Sequence, residues 1–233
     1  MYLVPYNIAV LHWCLTLAII MASSRYRSPR REDAAAATRE AILATALELF
    51  TKRGYAATTV PEIARAARVA TQTVYASTGG KAAMFAELLQ PAINDPIAAQ
   101  AMAQALQAED AERVLALCAT AARSGQERYW DVVYGLIRRP PEDELAQRAI
   151  ANVTAKCLQA LAVIAQRLDD LSALQPGMDP VLATDVLWFY FGPGAWCALV
   201  GDRGWTFDQA AQWLHQAARR DLLARRDPGR VAD

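Results

Sequence analysis

Four neutral side chains able to hydrogen-bond lie close together in one short stretch of this sequence: Thr71, Gln72, Thr73 and Tyr75. Hydroxyl and amide groups of this kind can bond the edges of base pairs in the major groove of DNA. We therefore expect Gln72 and Thr73 to contact bases, with Thr71 assisting. The stretch carries no charge of its own, so any attraction to the phosphates must come from residues around it.

The residues before this stretch predict a helix-turn-helix. Thr59 and Glu62 have the spacing of a capping box, so a first helix begins after Thr59. Pro61 fits the first turn of that helix, where its missing N–H costs little. Val69 is the apolar residue within the turn. The segment 71–75 then forms a short second helix, of the kind that enters the major groove.

The motif extends over 58–85, and its residues follow one order without a gap: Thr59, Val60, Ile63, Ala64, Ala67, Val69, Thr73, Val74, Tyr75, Lys81 and Met84. This order resembles the pattern of the TetR/AcrR family of transcriptional regulators. The resemblance implies an all-α protein with an N-terminal DNA-binding domain of three helices. It also implies a C-terminal helical domain that binds a small effector and forms a homodimer through its last two helices.

Three residues depart from the family pattern. Arg68 stands where a glycine is usual in the turn, Ala70 replaces the usual serine cap, and Thr78 replaces a phenylalanine. A left-handed conformation is expected at Arg68, and it would cost this residue roughly 1 kcal/mol. We expect these changes to affect the operator sequence and the stiffness of the linker more than the fold.

Three further side chains are expected to hold backbone phosphates rather than bases: Thr59, Tyr75 and Lys81. Lys81 opens the next helix, whose N-terminal end lies near phosphate in the family that the motif resembles. Contacts of this kind fix the position of a protein on the duplex but carry no sequence information directly.

Apolar periodicity predicts helices through the rest of the chain, and no segment alternates with the period of a strand. The first helix, over 34–52, places Ile42, Ala46 and Phe50 on one face. A break is expected at Ser124 and Gly125. We predict an N-terminal extension with a basic arm, a DNA-binding domain, an effector and dimerisation domain, and a tail, over 1–33, 34–90, 91–226 and 227–233.

The N-terminal residues 1–24 are uncharged, and most of 8–21 is apolar. A signal peptide needs a basic region before the apolar one, and none is present. A membrane span is marginal in length, although Arg25 and the arginines after it fit a cytoplasmic flank. We expect a mis-annotated start, with translation beginning at Met21, followed by a disordered basic arm or one that contacts DNA.

Four aromatic side chains are the candidates for the effector pocket: Trp130, Tyr134, Trp188 and Tyr190. Pockets for small molecules are mostly apolar with a few polar groups, and these rings supply both. Aromatic residues at helical spacing are also common in an ordinary core, so that interpretation stays open. The expected effector is a small, mostly apolar molecule.

The last two predicted helices, 181–200 and 207–225, are the candidates for the dimer interface. The final helix carries one stripe of mainly small and apolar residues: Ala210, Trp213, Leu214, Ala217 and Ala218. Small residues let helices approach closely, so two copies could form a four-helix bundle across a two-fold axis.

The distribution of charge fits a DNA-binding protein, and the reactive side chains give no sign of an enzyme or a metalloprotein. Residues 1–90 carry 10 Lys/Arg and 6 Asp/Glu, whereas residues 91–233 carry 14 Lys/Arg and 18 Asp/Glu. The excess of positive charge in the N-terminal part suits a domain that faces DNA. The 4 cysteines and 2 histidines show no metal spacing. No nucleophilic side chain has a general base at a spacing that would make a catalytic pair. We therefore predict no catalytic residue, no metal and no cofactor.

Two functions follow from these patterns. The first is a cytoplasmic DNA-binding repressor that binds a palindromic operator as a homodimer and is released by a small apolar effector. The alternative is a membrane-tethered helical interaction protein, in which residues 1–24 form an anchor.

Overall fold

A computed structural model describes residues 29–138 and 141–224 of the 233-residue chain. The predictions for the apolar N-terminal stretch and for the C-terminal tail fall outside these residues. The chain divides into two compact units, one ending at Glu40 and the other beginning at Ala41. Helix α1, Pro29–Arg53, contributes to both. It begins before the predicted residue 34, so the last residues of the predicted basic arm are helical.

The described residues are almost entirely helical and form no β-sheet, as the sequence predicted. An isolated antiparallel bridge joins Leu174 to Leu223. π-helical turns occupy Val133–Ile137 and Cys197–Asp202. The α-helices that follow α1 are α2 Val60–Ala66, α3 Thr71–Thr78, α4 Lys81–Ile93, α5 Pro96–Gln107, α6 Ala111–Arg128, α7 Trp130–Val132, α8 Glu144–Asp170, α9 Pro180–Phe191, α10 Pro193–Trp196 and α11 Phe207–Leu222.

Two hydrophobic cores lie within the second unit. The first joins the helix-turn-helix to α1 and α4, and it also takes in Val132, Leu136, Ala146 and Val153 from α7, the π turn and α8. The second fills the space between α6, the C-terminal half of α8, α9 and α11. Helix α8 therefore contributes to both cores, and the DNA-binding helices do not fold around a core of their own.

Of the two helix breaks predicted at glycines, the structure contains the one at Gly192 but not the one at Gly125. Helix α6 continues through Ser124 and Gly125, so the break predicted there is wrong; it falls at Tyr129 instead. Other residues of α6, such as Val114 and Leu115, are fully buried, and this packing outweighs the low helix propensity of one glycine. The predicted kink at Gly192 is confirmed: its ψ of 171° ends α9.

Helix α8 is long and apolar enough to cross a membrane by length and composition alone. Its buried residues are the ones that enter the two cores: Ala146, Val153, Ile164, Ala165 and Leu168. Asp143 caps its first turn by accepting a hydrogen bond from the Ala146 N–H at 3.0 Å. These contacts show that α8 packs against the other helices of the protein along its buried face.

The turn between α2 and α3 holds Arg68 in the left-handed region, with a φ of 57°. The Arg68 N–H donates to the Arg65 carbonyl at 3.2 Å, and the Val69 N–H donates to the Ala64 carbonyl at 2.9 Å. These bonds close the turn without the usual glycine. The expected left-handed conformation at Arg68 is thus confirmed.

Replacing Arg68 with glycine should stabilise the protein. A side chain in this conformation costs roughly 1–2 kcal/mol, of which about 0.5–1 kcal/mol is offset by the greater entropy of glycine in the unfolded chain. We expect the free energy of unfolding in urea to rise by about 0.5–1 kcal/mol. Arg65→Gly is the matched control: Arg65 is exposed within helix α2, so glycine there should lower stability by about 1 kcal/mol. Equal losses in both variants would contradict the strain at Arg68.

Candidate nucleic-acid interface

Helix α3 presents a polar outer face because its apolar side is fixed in the core. Val74 is fully buried and Thr78 is 5% exposed, while Gln72 and Thr73 point outward. Neither of these two side chains hydrogen-bonds to another described residue. Their donors and acceptors are therefore available to an external partner. Thr71, at the start of the helix, is half-buried.

Tyr75 lies on the same outer face, 54% exposed, and its position depends on the glycines that follow α3. Gly79 and Gly80 have φ angles of 79° and 110°, which favour glycine. A side chain on Gly80 would also lie 3.4 Å from the Tyr75 ring. The Gly80 backbone therefore lies close to the Tyr75 ring. Gly80 also leaves the first turn of α4 without a side-chain cap, so its N–H groups can face an anion.

Thr59 reaches the interface already hydrogen-bonded. Its N–H and its hydroxyl donate to the same Glu62 carboxylate oxygen, at 2.9 and 2.8 Å. These bonds, with a smaller effect of Arg53, lower the pKa of Glu62. The capping box predicted for Thr59 and Glu62 is present. For the Thr59 hydroxyl to donate to a phosphate, it must first break its hydrogen bond to Glu62 and turn away from that carboxylate.

Lys81 has a role at the start of α4 that the sequence did not reveal. Its Nζ lies 4.1 Å from the centroid of the Tyr55 ring, in a cation–π contact. Burial lowers the pKa of Lys81, and the nearby Asp143 carboxylate opposes that shift. Burial and the same carboxylate raise the pKa of Tyr55 to about 12. Lys81 therefore contacts the Tyr55 ring and lies near Asp143, the residue that caps α8.

Two of the four aromatic residues predicted for the effector pocket come together. Trp130 and Tyr134 stack with their ring centroids 5.1 Å apart and an angle of 9° between the planes. Trp130 also meets Phe207 edge-on at 5.2 Å. The Tyr134 hydroxyl donates to Asp202 at 3.1 Å. The same ring leaves no room for a side chain on Gly201, since an added Cβ would lie 2.0 Å from it.

Trp188 and Tyr190 have other surroundings. The Trp188 ring packs against Gly192, whereas the Tyr190 hydroxyl donates to Asp221 of α11. Burial and this hydrogen bond raise the pKa of Tyr190 to about 12. An open cleft of about 530 Å³ lies between α1, α4, α6 and α7, and none of the four predicted aromatic side chains lines it.

The ion pair at the edge of that cleft was missed by sequence reasoning. Arg128 Nη1 donates to both carboxylate oxygens of Asp95 at 2.8 Å, and Asp95 is only 4% exposed. Asp95 also caps α5 by accepting from the Ile97 N–H at 3.0 Å. The Asp95–Pro96 pair is a recognisable helix-start signal. Nothing in the sequence indicated the partner 33 residues away.

The comparisons with known proteins agree with this geometry. Residues 42–88 match the family described as bacterial regulatory proteins, tetR family. These residues begin on the buried face of α1 and end in α4, so they contain the whole helix-turn-helix. No curated protein sequence matches the chain.

Solved structures show the same fold over most of the chain. NalD, the secondary repressor of the MexAB-OprM multidrug efflux pump in Pseudomonas aeruginosa, is 28% identical, with a TM-score of 0.66 over 84% of this chain and 99% of NalD. FadR from Bacillus subtilis in complex with stearoyl-CoA is 19% identical, with a TM-score of 0.63 over 78% of this chain and 98% of FadR. The SmeT–triclosan complex is 18% identical, with a TM-score of 0.63 over 84% of this chain and 98% of SmeT.

The predicted all-α fold is confirmed, as is the resemblance found in the motif. The turn at Arg68, the buried Val74 and the exposed face of α3 form a helix-turn-helix that can enter a major groove. With the match over 42–88 and the likeness to NalD, they show that the chain carries a DNA-binding domain of the tetR family and is a DNA-binding transcriptional regulator.

Proposed function

We propose that this regulator represses transcription by binding a palindromic operator as a homodimer in the cytoplasm, and that a small molecule releases it. The outer face of α3 carries the proposal, since its hydrogen-bonding side chains have no partner among the described residues. The likeness to NalD, a repressor, favours repression over activation. No enzymatic activity is part of the proposal. The membrane-tethered alternative rests on residues 1–24, and family membership favours the regulator.

The DNA contacts divide by chemistry. Gln72 and Thr73 read base edges, with Thr71 assisting from the first turn of α3. Thr59, Tyr75 and Lys81 hold phosphates and fix the register. Lys81 can do so only by leaving or sharing its contact with the Tyr55 ring.

Helix α3 is too short for tight specific binding by one copy. It spans Thr71–Thr78 and exposes few side chains. Two copies related by a two-fold axis read two half-sites about 34–36 Å apart, or at a related spacing. A dimer interface must therefore exist on a surface that leaves both α3 helices free.

The surface that suits a dimer is the outer side of α9 and α11. Val181, Leu182 and Phe189 on α9 are 73%, 48% and 67% exposed, and Trp213 on α11 is 49% exposed. The Trp213 ring meets Trp205 edge-on, with centroids 6.3 Å apart. Large apolar side chains concentrated on two neighbouring helices mark an interaction surface. We propose that the two copies bury this surface against each other.

The stripe predicted for α11 is wrong in most of its members. Ala210 and Ala218 are fully buried, Leu214 is 1% exposed and Ala217 is 3% exposed. All four pack inside the second core of their own chain. Only Trp213 of the stripe faces outward. The helical period showed which residues share a face, but it could not show whether that face meets the same chain or a partner.

The release step needs a ligand that distinguishes two states. A small molecule shifts the population only by its difference in affinity between the DNA-binding state and the other state. Trp130, Tyr134, Trp188 and Tyr190 remain the proposed contacts for an apolar effector. Ligands with a large apolar part occur in this fold, since SmeT is solved with triclosan and FadR with stearoyl-CoA, whose acyl chain is apolar.

Removing a base reader and removing a phosphate contact should have different effects. Gln72→Ala should cost about 1–3 kcal/mol on the operator and relax specificity at one position. Lys81→Ala should weaken all sequences alike and lower the salt slope by about one unit. Fluorescence anisotropy with labelled operator and mutated operators measures both.

Two substitutions serve as controls for these variants. Gln104 and Lys156 are exposed side chains on α5 and α8, away from α3 and the start of α4. Gln104→Ala and Lys156→Ala should bind like the unaltered protein. Unchanged operator binding in both Gln72→Ala and Lys81→Ala would sink the assignment of these contacts.

A charge on the outer side of α9 should separate the dimer. Phe189→Glu places a carboxylate in the interface twice, once per copy, and burying unpaired charges is costly. We expect monomers by sedimentation, loss of operator binding, and unchanged helical content. Leu145→Glu is the matched control, since Leu145 is 62% exposed on α8; it should remain dimeric. Ala217→Glu should instead unfold the chain, because Ala217 lies in its core. A dimeric Phe189→Glu that binds operator would move the interface elsewhere.

A further inference from the structure

Helix α3 carries no charge, so its attraction to the phosphates of DNA must come from cations beside it. The segment from the start of α2 to the end of α4 contains Arg65, Arg68 and Lys81 as its basic residues. Lys81 lies on the Tyr55 ring, with its Nζ 4.1 Å from the ring centroid. The positive charge of Arg65 acts on the carboxylate of Glu62, which lies one helical turn earlier on α2. Two of the three cations therefore already interact with their own chain.

Arg68 differs from these two because its charge has no partner. The side chain is exposed, in the turn between α2 and α3. It makes no hydrogen bond, ion pair or ring contact with another residue in the part of the chain that the structure describes. The N–H donors of its guanidinium group are therefore open to an external anion. A guanidinium matches the oxygens of a phosphate, to which it can donate two parallel hydrogen bonds.

The backbone of Arg68 adds a second observation, because this residue weakens the fold. Its φ of 57° lies in a region that glycine adopts without the steric cost borne by other residues. The hydrogen bonds that close the turn use backbone groups, including the N–H of Arg68 and that of Val69, so glycine would form them equally well. The arginine side chain is thus strained and makes no internal contact. Strained residues concentrate at functional sites, which indicates that Arg68 acts on a partner outside the chain.

The position of Arg68 in the motif indicates which partner that is. In a helix-turn-helix the second helix lies in the major groove, while the first helix crosses the phosphate backbone. The turn that joins them therefore lies where the protein passes from the backbone into the groove. Arg68 stands in this turn, three residues before Thr71, the first residue of α3. Its charge is thus placed beside the phosphates that border the groove.

We propose that Arg68 binds a phosphate at the edge of the major groove that α3 enters. The contact adds to those proposed for Thr59, Tyr75 and Lys81, and it supplies a charge next to the uncharged readers of α3. It rests on the DNA binding in the proposed function, but not on the operator sequence or the effector. It also predicts a trade-off: glycine at position 68 gives a more stable protein that binds DNA less tightly.

A labelled DNA duplex of mixed sequence tests the contact, because phosphate contacts are independent of sequence. Arg68→Gln removes the charge but keeps a side chain in the same strained backbone conformation, whereas Arg68→Lys keeps the charge. The measurement is fluorescence anisotropy of the full-length protein over a series of salt concentrations. We expect Arg68→Gln to bind about tenfold more weakly at low salt and to lower the salt slope by about one unit for each copy bound. Arg68→Lys should retain the slope.

The matched control is Arg113→Gln, which removes the charge of an exposed arginine on α6, outside the helix-turn-helix. This variant should bind the mixed duplex like the unaltered protein. A salt slope in Arg68→Gln equal to that of Arg113→Gln would overturn the proposal. So would an Arg68→Gln protein that keeps the slope and loses its preference at one base pair of the operator, since Arg68 would then read a base.

Urea unfolding of the same variants separates the loss of a contact from damage to the turn. Arg68→Gly should unfold at a higher urea concentration than the unaltered protein and still bind the mixed duplex about tenfold more weakly. Weak binding together with lower stability would mean a damaged turn and would overturn the proposal. Selection from a library of random-sequence duplexes tests the proposed function separately. If the protein selects no preferred sequence, operator binding fails, while the mixed duplex still decides whether Arg68 binds phosphate.

Discussion

The cluster of Phe50, Tyr55 and Phe85 is the contact on which the DNA-binding end of the protein depends. The Tyr55 ring centroid lies 5.1 Å from the Phe50 centroid and 5.2 Å from the Phe85 centroid. The Phe50 and Phe85 centroids are 6.4 Å apart. Phe50 and Phe85 are fully buried. Rings packed in this way contribute about 0.5–1.5 kcal/mol per pair beyond the area that they bury. They fix the end of α1 against α4, and α3 is held on that base.

The same cluster connects the interface to the rest of the chain. Tyr55 carries Lys81 on its ring face and stands near Asp143 at the start of α8. Its core continues into Leu136 and Val153. A phosphate that draws Lys81 away from the ring changes the charge balance around Asp143.

The sequence was informative where a local rule decides the structure, and it failed where distant parts of the chain decide. The left-handed Arg68, the capping glutamate and the outer face of α3 all follow from short motifs. The continuity of α6 through Gly125 does not, because packing against other helices stabilises it. The stripe on α11 was assigned to a partner chain because a period of 3.6 residues marks an apolar face and nothing more. The contact of Lys81 with Tyr55 and the pair between Arg128 and Asp95 depend on tertiary structure alone.

Helix α1 carries both the leucines that line the open cleft and buried residues of the first core. Interiors are closely packed, so the leucines of α1 that line the cleft cannot move without moving the buried residues on the same helix. Ile42 and Ala46, both fully buried, adjoin Leu43 and Leu47 in sequence and belong to the first core. At the other edge, the buried Asp95 holds Arg128 and caps α5, so α6 and α5 are fixed together. The cleft therefore has one wall on α6, which the buried Asp95 ties to α5, and another wall on α1 and α4, the two helices that support α3.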